Sequence, residues 1–127
     1  MSANPLLESL LALDGVRELG AKEIDAFLDA APGAALLLIR GEGARRPETA
    51  DALVAVRELK RAFGARIAVA VASARDEHSI KQRVGAVIVP SVVLLRGREV
   101  VKTLPRVQDW AEYRAAVLEL VGEERAA

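Results

Sequence analysis

The chain has 127 residues, 52% of them hydrophobic, and its 18 basic residues balance 18 acidic ones. A zero net charge argues against bulk attraction to nucleic acid or to an acidic membrane surface. There is no cysteine and only one histidine, His78, which removes disulfides, thiolate nucleophiles, cysteine-held zinc, iron–sulfur clusters, histidine metal sites and a Ser-His-Asp relay.

The length suits one domain over 1–127. Residues 1–15 form an N-terminal helical extension, 16–121 a core, and 122–127 a frayed tail. No apolar run reaches the roughly 18 residues of a membrane span. Met1-Ser2-Ala3-Asn4-Pro5 lacks the basic start of a signal peptide. The expectation is a cytoplasmic protein with no stable membrane insertion, no nucleic-acid partner and no cofactor. Aromatics are limited to Phe27, Phe63, Trp110 and Tyr113, so the core must be built from Val, Leu, Ile and Ala.

From the N-terminus, Leu6, Leu7, Leu10 and Leu11 share one face of a helix starting at Pro5 and stopping before Gly15. That face is read as core packing in preference to a partner or dimer surface. Val16 to Leu19 fits a short edge strand. Ala21 to Ala30 is helical through Ile24, Phe27 and Leu28, and Pro32-Gly33 ends it. The apolar run Ala34 to Ile39 between Gly33 and Gly41 reads as a buried central strand. After the loop Gly41 to Arg46, Pro47 suits a first helical position, with Glu48 and Asp51 where a helix dipole favours acids. Leu53, Val56, Leu59 and Phe63 form that helix's stripe, and Gly64 stops it. Gly41-x-Gly43 lacks the downstream signals of a phosphate cradle.

Arg66 to Ala72 is a further strand, and Asp76 to Val84 a polar helix closed by Gly85, with His78 on its surface. Val87 to Val101 then reads as a proline-started apolar strand, a tight turn at Gly97 and a second strand. Pro90 cannot donate to a sheet ladder and belongs at a strand's first residue; the Val89–Pro90 bond is a candidate cis peptide. Asp109 is a candidate N-cap for a last helix carrying Trp110, Tyr113, Val117, Leu120 and Val121. The order α-β-α-β-α-β-α-β-β-α implies parallel strands joined by right-handed crossovers, followed by an antiparallel hairpin.

This order, with a proline opening the first strand of a terminal hairpin, resembles the thioredoxin fold: α/β, with a mixed sheet of four to five strands flanked by helices, and here an extra N-terminal helix. Val89-Pro90-Ser91 falls where thioredoxins carry their cis-proline loop. The thioredoxin dithiol would fall within Arg45-Arg46-Pro47-Glu48-Thr49, where there is no cysteine, and the central strand lacks the thioredoxins' buried acid. Thiol–disulfide exchange needs a thiolate and is excluded. The spacing of Ile24-Asp25-Ala26-Phe27-Leu28, Pro32-Gly33, Arg46-Pro47-Glu48, Pro90-Ser91, Arg96-Gly97 and Arg106 to Tyr113 is similar to the HyaE/HoxO/HupG family, cysteine-lacking thioredoxin-like proteins encoded with nickel–iron hydrogenases. The resemblance implies a non-enzymatic chaperone or assembly factor. It would bind the hydrogenase small-subunit precursor and its twin-arginine signal region before export, with other hydrogenase assembly factors as further partners. The alternative is a redox-inactive interaction or scaffold module for an unrelated complex.

The candidate partner-binding residues are Val89, Pro90, Ser91, Arg45, Arg46, Glu42, Glu48 and Trp110. The loop at Val89-Pro90-Ser91 would present backbone to an extended segment, as in strand addition, or else only shape a turn. Arg45 and Arg46 would hold a partner carboxylate or be solvated. Two arginines would repel a twin-arginine peptide, which leaves Glu42, Glu48 and Asp51 as its acids, although Glu48 and Asp51 also suit the helix N-terminus. Trp110 either covers the hairpin or anchors an interface.

Overall fold

The computed structural model describes residues 4–41 and 47–126. Its helices and strands follow the predicted order. They are α1 (Pro5–Leu11), β1 (Arg17–Leu19), a 3-10 turn (Ala21–Glu23) leading into α2 (Ile24–Ala30), β2 (Ala35–Ile39), α3 (Pro47–Phe63), β3 (Ala68–Ala72), α4 (Glu77–Val84), β4 (Ser91–Arg96), β5 (Glu99–Pro105) and α5 (Trp110–Ala126). Two differences from the sequence reading concern helix ends. α1 stops at Leu11, short of Gly15. α5 runs on through Gly122 to Ala126, in place of the expected frayed tail. One glycine costs a helix only about 1 kcal/mol, and Val117, Leu120 and Val121 anchor the helix just before it.

The five strands form one mixed sheet in the order β1-β3-β2-β4-β5. β1, β3 and β2 are parallel, and β4 and β5 are antiparallel to their neighbours. A side chain alternates faces along a strand, so each strand feeds two cores. Leu36 and Leu38 of β2, Val69 and Val71 of β3, and Val92 and Leu94 of β4 face α1, α3 and α5. Ala35, Leu37, Ile39, Ala70, Ala72, Val93 and Leu95 face α2 and α4. β3 thus shows valine to one layer and alanine to the other.

α1 is held by Leu7 and Leu10, which are buried with α3 in the first core, with Leu6 and Leu11 packed at its margin. Each fully buried leucine contributes about 1.5–3 kcal/mol. The Asn4 side chain accepts from the Leu7 N–H at 3.1 Å and caps the helix.

Both sheet edges are blunted. β1 has three residues, two of them the exposed Arg17 and Glu18. In β5, Leu94 and Leu95 pair with Lys102 and Val100, so Val101 bulges out of the ladder between them. Short, charged or bulged edges discourage pairing with a further strand.

Candidate functional site

β2 ends at Ile39, which pairs with Ser91 at the start of β4. The segment before Ser91, the chain after β2 and the end of β5 therefore meet at one end of the sheet. α4 is closed by Gly85 in the left-handed conformation (φ 74°), a conformation that costs glycine little. Ala86 then turns inward, whereas Val87 and Ile88 point to solvent, 84% and 46% exposed. The Val89–Pro90 peptide bond is cis, as its place before the strand suggests. Pro90 itself is buried and its carbonyl accepts the Arg106 N–H at 2.7 Å. The Ser91 hydroxyl donates to the Ile88 carbonyl, and Ser91 is buried between its sheet partners Ile39 and Pro105. Ser91 therefore shapes the loop from within, while Val87 and Ile88 supply its exposed surface.

The apolar run from Val87 suggests a strand covered on both faces. That description fits Ser91 to Leu95 but not Val87 and Ile88. Composition cannot separate the two segments. The distinguishing signal is the proline, which separates a loop from the ladder beyond it.

The facing wall is the start of α3. Thr49 is buried there, and its hydroxyl donates to the Arg40 carbonyl at 3.1 Å, tying the first turn of the helix to the end of β2. Beside it, Glu48 pairs with Arg106, Nη2 to Oε2, at 3.0 Å. Arg106 is the one non-glycine residue with positive φ (60°) among the described residues, an uncommon conformation for a side-chain-bearing residue. It is held from both directions. Its N–H donates to the Pro90 carbonyl, and its carbonyl accepts from the Tyr113 hydroxyl at 3.2 Å. The same hydroxyl accepts the Gln108 N–H at 3.1 Å. Tyr113 is fully buried, and burial raises its phenol pKa above the ordinary 10.0. One buried hydroxyl thus fixes the turn from β5 to α5.

Asp109 takes the N-cap position of α5, its carbonyl receiving the N–H groups of Glu112 and Tyr113. Trp110 stands 43% exposed, at the wall of a groove of about 500 Å³ that it shares with α3. Val54 and Ala55 of α3 and Val107 give the groove its aliphatic lining; Asp51 and Glu58 stand at its edge, with Gln108 and Tyr113 toward α5.

Of the residues singled out in the sequence, Val89, Pro90 and Ser91 form one loop, and Pro90 and Glu48 are joined through Arg106. Trp110 lies along the neighbouring groove. Glu42, Arg45 and Arg46 lie outside the described residues. Sequence reasoning missed Val87 and Ile88 as surface, Arg106 as the bridge and Tyr113 as its clamp. A buried tyrosine needs a partner for its hydroxyl, so the turn just before Tyr113 was the place to look for one. Among the described residues, this end of the molecule offers apolar surface, the Glu48–Arg106 ion pair and a fixed backbone turn.

Fold and loop together define a thioredoxin-like protein that keeps the cis-proline loop without cysteines. A mutant thioredoxin from Halobacterium salinarum superposes with a TM-score of 0.69 at 18% identity, over 84% of this chain and 89% of that one. The family model described as hydrogenase-1 expression protein HyaE matches residues 6–113, and the chain belongs to that family. It is 34% identical to hydrogenase expression/formation protein HupG of Bradyrhizobium diazoefficiens, over 91% of this chain and 80% of that protein. The crystal structure of a hydrogenase expression/formation protein hupG from Rhodopseudomonas palustris shares 26% identity and a TM-score of 0.59, covering 87% of this chain and 99% of that one. The function class is hydrogenase maturation. No helix among the described residues is long and apolar enough to cross a membrane.

Proposed function

We propose that the protein is a non-catalytic cytoplasmic chaperone for the small subunit of a nickel–iron hydrogenase, binding the precursor and its twin-arginine signal region before export. Family membership supplies the hydrogenase. The observation that carries the binding role is the exposed Val87-Ile88 pair running directly into the cis Val89–Pro90 bond. Adjacent exposed apolar side chains beside a rigid loop are better suited to a partner than to water. The chain's lack of cysteine leaves this loop no thiol to present, so its use is to hold a segment. Pro90, Glu48 and Trp110 border the binding region, with Glu42, Arg45 and Arg46 as further partner contacts and other hydrogenase assembly factors as further partners. Because the sheet edges are blunted, an extended segment docks at this end of the fold.

The test is co-purification of the chain with the small-subunit precursor and with the same precursor lacking its signal peptide. Recovery of the first alone supports signal recognition. Equal recovery of both removes signal recognition and leaves general chaperoning. Recovery of neither sinks the proposal.

A further inference from the structure

We propose that the groove between α3 and the β5–α5 turn is the seat of a basic–apolar peptide segment, and that Arg106 occupies its acidic end until that segment displaces it. The inference rests on the reading above, that a precursor's arginine-bearing region is the ligand, and adds where it sits and what it must exchange with.

Three observations carry it. The first is complementarity. The groove joins aliphatic walls, Val54, Ala55 and Val107, to an exposed indole, Trp110, and carries the acids Asp51 and Glu58 at its edge. Such a surface matches a segment with apolar side chains beside cationic ones. Glu58 is already engaged by Arg57 and Arg61, at 3.1 and 2.8 Å. Asp51 is exposed and has no cation paired with it among the described residues.

The second is continuity. Glu48 precedes Asp51 by three positions on α3, the spacing that puts two side chains on one face. Arg106, its ion-pair partner, is the residue before Val107. The Glu48–Arg106 pair therefore adjoins lining residues of both walls, Asp51 and Val107, on the side where Arg106 meets Pro90.

The third is that the Arg106 side chain can leave without disturbing its backbone. The residue's positive φ is held by the Pro90 carbonyl and the Tyr113 hydroxyl, not by the guanidinium. The side chain is 64% exposed, and exposed ion pairs are weak. An incoming arginine can replace Arg106 on Glu48 like for like. Its neighbour on the peptide reaches Asp51, and the apolar run following lies along Val54, Ala55 and Trp110. Arg106 thereby acts as an internal competitor. It keeps the acid neutralised in the free protein, and it rejects apolar segments that bring no cation to replace it.

The experiment uses the single tryptophan, Trp110, as the reporter. The full chain is titrated with a tryptophan-free synthetic peptide carrying two adjacent arginines ahead of an apolar run, followed by Trp110 emission and in parallel by calorimetry. The expected result is saturable binding that shifts the emission, weakens with added salt and falls roughly tenfold when both arginines of the peptide become glutamine. Glu48→Gln and Asp51→Asn each weaken binding. Arg106→Gln and Arg106→Gly, the second suited to positive φ, tighten it about two- to fivefold, as removal of a weak competitor should. Circular dichroism checks that each variant is folded.

Unchanged or weaker binding by both folded Arg106 variants overturns the exchange. Calorimetric binding with no change in Trp110 emission places the peptide elsewhere and overturns the groove. If the wild-type chain retains the intact precursor but not this peptide, the groove inference fails and the chaperone reading stands. If it retains neither, both fall.

Discussion

The two ends of the β4–β5 hairpin are built on opposite terms. At the turn, Arg98 donates to both carboxylate oxygens of Asp29, at 2.8 and 2.7 Å, and approaches Asp25 at 3.5 Å, while Arg83 of α4 pairs with Asp25. Four half-exposed charges thus link the hairpin to α2 and α4. At the other end, among the described residues, Glu48 pairs with Arg106, and beyond that pair Val87, Ile88 and Trp110 stand uncovered. The first end is closed on itself by groups that water would satisfy nearly as well. The second leaves apolar surface that water does not satisfy, on a backbone fixed from below by a buried tyrosine. On the reading proposed above, the first end is complete within the chain and the second is the end that meets the partner.

The comparison can be tested from its strongest consequence down. Tyr113→Phe removes the hydroxyl that serves both Gln108 N–H and the Arg106 carbonyl. Leaving these groups unmet should lower unfolding free energy by about 1–3 kcal/mol in urea melts, more than any single charge removed at the turn. The raised phenol pKa predicts a second signature. The stabilisation from keeping Tyr113 neutral is complete below the ordinary phenol value of 10.0 and is lost as pH rises through the higher folded value. The phenylalanine variant should lack that alkaline loss.

Next in size is the double substitution Val87→Asp with Ile88→Asp. Both side chains already face water, so stability should stay within about 0.5 kcal/mol of the parent. Retention of the small-subunit precursor in a pull-down should fall roughly tenfold, about 1.4 kcal/mol. Unaltered retention by a folded variant would move the partner surface away from the Pro90 loop.

A smaller effect belongs to Thr49→Val. It deletes the hydroxyl that joins α3 to the Arg40 carbonyl and should lower stability by about 0.5–1.5 kcal/mol in the same melts. No change would mean that packing alone seats the helix. The smallest is Asp29→Asn at the turn. Hydrogen bonding from Arg98 holds the Asp29 carboxyl below its ordinary value of 3.8. Its stabilising share is therefore present above that value and is lost as pH falls through the lower folded value. The asparagine variant should show a flatter acid limb in thermal melts at low salt, little change at neutral pH, and undiminished partner retention.

Much of the architecture was legible in the sequence because burial pattern and punctuation agree with each other there. Ala35 to Ile39 is apolar between glycines, and it is buried along its whole length in the centre of the sheet. Pro47 and Gly64 bracket a stripe of Leu53, Val56, Leu59 and Phe63, and the helix spans Pro47–Phe63. The Leu6, Leu7, Leu10 and Leu11 face does pack, with Leu7 and Leu10 in the first core. The site was legible only in outline. Val89–Pro90 could be located because proline is confined to few places near a sheet. The neighbours Val87 and Ile88 read as part of the strand, since an apolar residue exposed for a partner and one buried in a core look alike in composition.

By itself, the sequence determined the order of elements, the mixed sheet, the loss of thiol chemistry and the position of the proline loop. These depend on local periodicity, on backbone restriction at glycine and proline, and on which atoms the side chains possess. Only the tertiary structure decided that Arg106 would reach Glu48, that Tyr113 would clamp the turn from β5 to α5, and that Trp110 would stand at the wall of a groove beside α3. Glu48 and Arg106, and Trp110 and α3, are far apart along the chain, whereas Tyr113 and Arg106 are only seven positions apart and meet once β5 and α5 are in place. No local propensity encodes these contacts; they follow from how α3, α5 and the end of the hairpin pack around a shared core.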